Sequence, residues 1–159
     1  MEIRLAEHSD LTGWVQLVEP MRHLFPGLET PESMEGYARD IAGAISRKEA
    51  LCAVENGIIC GVLAFSRAEN ELAFLAVSEQ YRRRGIARGL AERMFRELNP
   101  DRPVKLITSR AGVPEGEAAR KLYQRLGFCT GELLEVDGSP AQEFLRPAET
   151  SEAERSAAK

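Results

Sequence analysis

Residues 71–98 read ELAFLAVSEQYRRRGIARGLAERMFREL, and the order of residue types in this stretch decides the fold. Residues 71–77 are apolar and strand-like, and Ser78 to Gln80 break the run. Arg82, Arg83, Arg84 and Arg88 then crowd around Gly85. From there on, Ile86, Ala87, Leu90, Ala91, Met94, Phe95 and Leu98 recur at the i, i+3, i+4 spacing of one helix face. A strand that feeds a glycine turn and a helix makes an anion site. The first helical N–H groups have no partner within the helix, and the macrodipole adds partial positive charge there. Gly85 lets the backbone come close to a ligand, and the arginines supply forked donors for phosphate oxygens. A phosphate or pyrophosphate is the expected guest. The plain alternative is a solvated basic run beside an ordinary turn, and the ordered segments on both sides weigh against it.

Neither a G-x-x-x-x-G-K-[ST] loop nor a G-x-G-x-x-G fingerprint occurs, which counts against a nucleotide-binding module. The chain has 159 residues, enough for one domain with a real core. With 43% hydrophobic and 29% charged residues its composition is that of an ordinary globular domain. A net charge of −4 argues against bulk attraction to nucleic acid, so the arginine loop is a local feature on an acidic background. No apolar run approaches the roughly 20 residues of a membrane helix, and the N-terminus lacks a signal-type apolar region. A cytoplasmic protein that touches neither membrane nor nucleic acid is expected. Three cysteines without paired spacing point to neither a disulfide scaffold nor a metal site.

Around the central stretch, residues 3–5 read as a first strand. Ser9 or Asp10 is placed to cap a helix carrying Leu11, Trp14, Val15 and Val18. A second helix is expected over 32–47, weakened by Gly36 and Gly43. Asn56-Gly57 signals a tight hairpin between strands at 51–54 and 58–65. That turn would set Glu55 opposite Ile58, Ala53 opposite Cys60 and Cys52 opposite Gly61, with Cys52 and Cys60 on opposite faces. A strand at 104–108, a helix at 117–126 closed by Gly127, and strands at 128–136 and 141–145 complete the domain. The order β-α-α-β-β-β-α-β-α-β-β predicts an α/β (α+β) domain over residues 1–146, with helices on both faces of a mixed sheet. Residues 147–159, rich in Ala, Glu and Ser, are expected to be a disordered tail.

Arg82-Arg83-Arg84-Gly85-Ile86-Ala87 matches the Q/R-x-x-G-x-G/A signature of the GNAT family of N-acetyltransferases, and Leu75-Ala76-Val77 and Tyr81 also resemble that family. Ala119 to Phe128 resembles its A-x-x-x-Y-x-x-x-G-F segment, and the element order agrees along nearly the whole chain before the tail. The resemblance implies a mixed, mostly antiparallel sheet of about six to seven strands, with acetyl-CoA as co-substrate. Its pyrophosphate would lie on Arg82, Arg83, Arg84, Gly85, Ile86, Ala87 and Arg88, and its pantetheine arm along Leu75, Ala76 and Val77. Tyr123 would be the general acid that protonates the departing thiolate. A phenol of pKa ~10 keeps its proton at neutral pH, whereas a thiol near ~8.5 leaves as a thiolate needing one. The alternative role for Tyr123 is packing alone.

The acceptor would be a small-molecule or peptide amine, with protein lysine also open, and no metal is needed. A free amine of pKa ~10.4 must lose a proton before attack. Glu71 is the best-placed base, with an exposed strand-edge carboxylate as its alternative reading; His23 is a weaker candidate. In the family, the acceptor side would include Trp14, His23, Phe25, Tyr37 and the acids Glu19, Glu29, Glu32 and Glu35. Acids there would suit a cationic amine, but on this acidic background the reading preferred for them is a solvated face. Many members carry Asn seven residues before the tyrosine; this chain has Gly116. That departure keeps open a non-catalytic CoA-binding module. Dimers are common in the family, so a homodimer is also open.

Overall fold

The computed structural model describes residues 1–149. The central stretch forms β4 (Glu71–Val77), a basic turn and α3 (Ile86–Glu97). Before it come β1 (Glu2–Leu5), α1 (Leu11–Val18), α2 (Pro31–Ser46), β2 (Ala50–Glu55) and β3 (Ile58–Ser66). After it come β5 (Val104–Ser109), α4 (Glu117–Arg125), β6 (Cys129–Val136) and β7 (Ser139–Arg146). The order is the expected one, with short 3₁₀ segments added, among them Glu19–Leu24.

The seven strands form one sheet in the order β1-β2-β3-β4-β5-β7-β6. Every pairing is antiparallel except β4 with β5. Two buried clusters sandwich the sheet. Ile86, Leu90, Ala91 and Met94 of α3 pack with Tyr123 and Leu126 on one face. Trp14, Val18, Met34, Ile41 and Ile45 from α1 and α2 pack on the other. The apolar periodicity of each helix is thus matched by one face of the alternating strands.

The Asn56-Gly57 turn is where the sequence placed it. Both residues have positive φ (51° and 77°), and Glu55 pairs with Ile58. The register then shifts between Ala53 and Val54, so that Ala53 faces Gly61 and Cys52 faces Val62. Cys60 is therefore the extra residue of a bulge, not the partner of Ala53. Cys52 and Cys60 still lie in opposite clusters. The bulge brings Gly61 under α3, where an added Cβ would stand 2.7 Å from Ile86 Cγ2. The helix that follows the basic turn is seated on that bare backbone.

Asp10 does not cap α1. Its carboxylate is taken by the Arg4 guanidinium, at 2.7 and 3.1 Å, and by the Glu7 N–H. In α2, Thr30 and Ser33 form a reciprocal capping box, and Gly36 and Gly43 are carried within the helix. Fully buried Asn70 ties the entry of β4 to the segment before β5. Its Nδ2 donates to the carbonyls of Asn99, Arg102 and Pro103, and its Oδ1 accepts the Asn99 N–H.

Order continues past the expected domain end at 146. Ala148 is buried, and the Glu149 N–H bonds the Pro100 carbonyl at 3.0 Å. The remaining expected tail, 150–159, lies outside the described residues.

Candidate active site

The site begins where two strands part. β4 and β5 pair in parallel at Glu71 and Lys105 and then separate. Beyond that point the β5-facing edge of β4 has no strand partner, while β3 pairs along its other edge. A cleft of about 640 Å³ fills the gap. Ala73 to Val77 form one wall, and Leu106 to Ser109 of β5 form part of the other. Unpaired backbone groups facing a cleft need a ligand or water. An extended amide-bearing chain can satisfy them as a strand would. A bulge opposite Ala64 and Phe65 bends β4 at Ala73–Phe74, which helps aim its second half away from β5.

The basic turn stands at one end. Gly85 caps α3 with φ +75°, no side chain bonds the helix start, and the first helical bond is Gly89 N–H to the Gly85 carbonyl. The Ile86, Ala87 and Arg88 amides are therefore presented outward, as an anion site requires. Arg83 also has positive φ, at 65°. Arg82 and Ala87 line the cleft. Arg84 turns away to Glu55 at 3.3 Å and lies over the Tyr81 ring. Arg88 lies 3.9 Å from Glu92 on the helix surface. Ile86 is buried against Gly61, so its side chain serves the core and only its backbone faces the site.

Tyr123 enters from α4. Its ring packs edge-on against Phe128 and Phe144, with centroids 6.1 and 6.3 Å away. The residue is buried, yet it lines the cleft, and its hydroxyl makes no hydrogen bond within the described residues. Among the described residues no fully buried polar side-chain atom is left without a partner, so the hydroxyl reaches cleft solvent. Burial pushes the phenol pKa up to about 12. At neutral pH it is a proton donor only.

Glu71 lines the same cleft at the neck where the strands part, with its side chain one-quarter exposed. Burial raises its carboxyl above the ordinary value; Lys105, at 3.8 Å, opposes that, while Glu69 and Glu143 add to it. It is held above the ordinary carboxylate value, which makes it a stronger base.

Of the residues expected on the acceptor side, Phe25 and Tyr37 line the cleft. Trp14 is core, donating from Nε1 to the Tyr37 oxygen at 2.8 Å. His23 is exposed and is not part of the lining, and neither are Glu19, Glu29, Glu32 and Glu35. Cys129 is exposed on β6.

Two features escaped the sequence. A Cβ at Gly116 would stand 2.6 Å from Ser109 Cβ, so β5 itself excludes a side chain there. Ser109 lines the cleft at that place. Arg120 is buried without a carboxylate partner in the described residues. Its Nη1 donates to Ser109 O and Gln142 Oε1, and its guanidinium lies over the Phe144 ring. It clamps the end of β5 to β7. The signal was present as a polar residue on the inner face of α4, but an arginine at that spacing reads as solvated.

The arrangement joins an anion-binding turn, an open strand edge, a protonated phenol and a carboxylate along one cleft. A family model described as an acetyltransferase (GNAT) domain matches residues 27–144. Solved structures match over most of their length. A GNAT-family acetyltransferase from Bacillus cereus is 21% identical, with a TM-score of 0.71 over 91% of this chain and 94% of that one. An N-acetyltransferase from Staphylococcus aureus is 16% identical, with a TM-score of 0.74 over 91% and 100%. The PaiA N-acetyltransferase from Thermoplasma acidophilum, solved with coenzyme A, is 20% identical, with a TM-score of 0.67 over 91% and 97%. Curated proteins yield no significant match. Among the described residues, no helix is long and apolar enough to cross a membrane.

Proposed function

The chain belongs to the GNAT acetyltransferase family, and from that premise we propose that it moves an acetyl group from acetyl-CoA to a primary amine by direct attack on the thioester. The observation that carries this reading is the single cleft shared by the open edge of β4, Arg82, Ala87, Tyr123 and Glu71. The pantetheine arm takes the place of a strand beside Leu75, Ala76 and Val77. The pyrophosphate lies on the turn from Arg82 to Arg88, held chiefly by backbone N–H groups and Arg82, with Arg83 and Arg88 adding charge. Arg84 supports the turn through Glu55 and Tyr81.

In the reaction the amine nitrogen forms a bond to the acetyl carbon while the C–S bond breaks. Backbone N–H groups near Ala76 and Val77 polarise the carbonyl. The proton lost by the attacking nitrogen passes to Glu71, directly or through a water. The leaving sulfur takes the Tyr123 proton. Orientation in one water-poor groove supplies much of the remaining acceleration.

Gly116 favours a second reading, a CoA-binding module without turnover, because no side chain reaches the ligand from that position. One experiment separates the two. Acetyl-CoA binding by calorimetry, run beside free-thiol release with a panel of amines, gives binding with release for the enzyme and binding without release for the module. Failure to bind acetyl-CoA defeats both.

A further inference from the structure

We propose that the acceptor is a small primary amine carrying an aromatic or branched aliphatic group. This rests on the acetyltransferase reading and names its second substrate. Met21, Leu24, Phe25, Leu28, Tyr37 and Phe74 line the cleft and form its acceptor half, all but Leu24 packing with the cluster of α1 and α2 on the sheet face opposite α3. The Phe74 ring lies 4.5 Å from that of Phe25 and 5.0 Å from that of Tyr37, making an aromatic wall beside the bulge of β4. Such a surface binds apolar groups by desolvation and ring contact.

The charges agree. Among the described residues the carboxylates lining the cleft are Glu71, at the neck, and Glu115, next to Gly116. Asp137 stands at the rim, its Oδ2 3.6 Å from where a Cβ on Gly27 would be. Glu71 already has Lys105 at 3.8 Å, so the neck offers a partner to no more than one amine nitrogen. A second cation, as in a polyamine, would be buried among apolar groups without a partner, at a large desolvation cost. Apolar walls also favour the neutral, nucleophilic form of the amine.

Size follows from the cleft. The Gly27 turn approaches the turn between β6 and β7, and Val136 and Pro140 beside that turn line the same cleft. Both turns border the acceptor half, and its share of the roughly 640 Å³ suits a small molecule better than a folded protein segment.

The test measures kcat/KM by thiol release for phenethylamine and isoamylamine against ethanolamine, putrescine, spermidine, a lysine-containing peptide and a peptide with N-terminal Phe. Acetyl-CoA binding is measured separately by calorimetry. The two apolar amines should lead the others by about tenfold or more. Leu24→Glu, at a partly buried position outside the two packed clusters, should lower kcat/KM for phenethylamine about tenfold, raise that for putrescine and leave acetyl-CoA affinity unchanged. With acetyl-CoA binding intact, equal or better use of ethanolamine, a polyamine or either peptide overturns the inference, as does the absence of transfer to any apolar amine. Loss of acetyl-CoA binding in the unaltered protein overturns the underlying reading instead. The panel with the unaltered protein decides the proposal even where the variant does not fold.

Discussion

Replacing Tyr123 by Phe removes one oxygen and isolates the role proposed for it. The ring would keep its edge-on contacts with Phe128 and Phe144. The hydroxyl bonds to none of the described residues, so no buried partner is orphaned. The expected change in stability is within about 0.5 kcal/mol, or about 1–2 °C in Tm for a chain of this size. General acid catalysis contributes about 10²- to 10³-fold in such a step, equal to about 2.7–4.1 kcal/mol of barrier. The variant should therefore lose that factor in kcat while its KM and Kd for acetyl-CoA stay within about threefold. Paired assays check it: thiol release under saturating amine, calorimetric titration of acetyl-CoA and a thermal melt. A fall in kcat below about fivefold with an unchanged melt would refute the proton-donor role. A drop in Tm beyond about 4 °C would refute the structural half of the reasoning, showing that the hydroxyl holds the fold together.

Gly85→Glu forces φ +75° on a residue with a side chain, costing about 1 kcal/mol, and sets an anion at the helix start; acetyl-CoA should bind at least about tenfold more weakly, whereas Gly85→Ala shares the strain without the charge and should bind nearly normally by calorimetry. Asn70→Ala strands three carbonyls and an N–H in a fully buried corner and should cost about 3–5 kcal/mol, read as a drop of roughly 10 °C in Tm. Glu71→Gln should lower kcat about 10²-fold and remove an acid limb of the kcat/KM–pH profile that lies above the ordinary carboxylate range. The folded-state pKa of Glu71 is raised, so the folded protein holds this proton better than the unfolded chain does. Stability from this group is full below the ordinary carboxylate value and is lost as pH rises through the raised one. Denaturation curves across that range should show a smaller decline in the Gln variant.

The strand, turn and helix at 71–98 could be read from local chemistry, because apolar alternation, one glycine and a helical stripe each act over a few residues. The Asn56-Gly57 hairpin was legible for the same reason. The helix carrying Tyr123 followed from the spacing of Ala118, Ala119, Leu122 and Leu126, whereas the importance of Tyr123 itself came from the resemblance of residues 119–128 to the family segment. The one-residue slip at Cys60 was not legible, since it depends on how closely α3 can approach Gly61 from more than twenty residues away. Nor was the loss of Trp14 to the core, which depends on Tyr37 accepting its N–H.

What the sequence determined by itself is the list of elements and the chemistry of the turn at Arg82 to Arg88, because periodicity, backbone freedom at Gly85 and side-chain charge are properties of neighbouring residues. What only the tertiary structure decided is where the strands part and what faces the gap. β4 leaves β5 after Glu71, Ser109 occupies the space above Gly116, and the acids between residues 19 and 35 stay outside the cleft. Each of these depends on the packing of segments distant in sequence, where a few ångströms decide whether a carboxylate meets solvent or substrate.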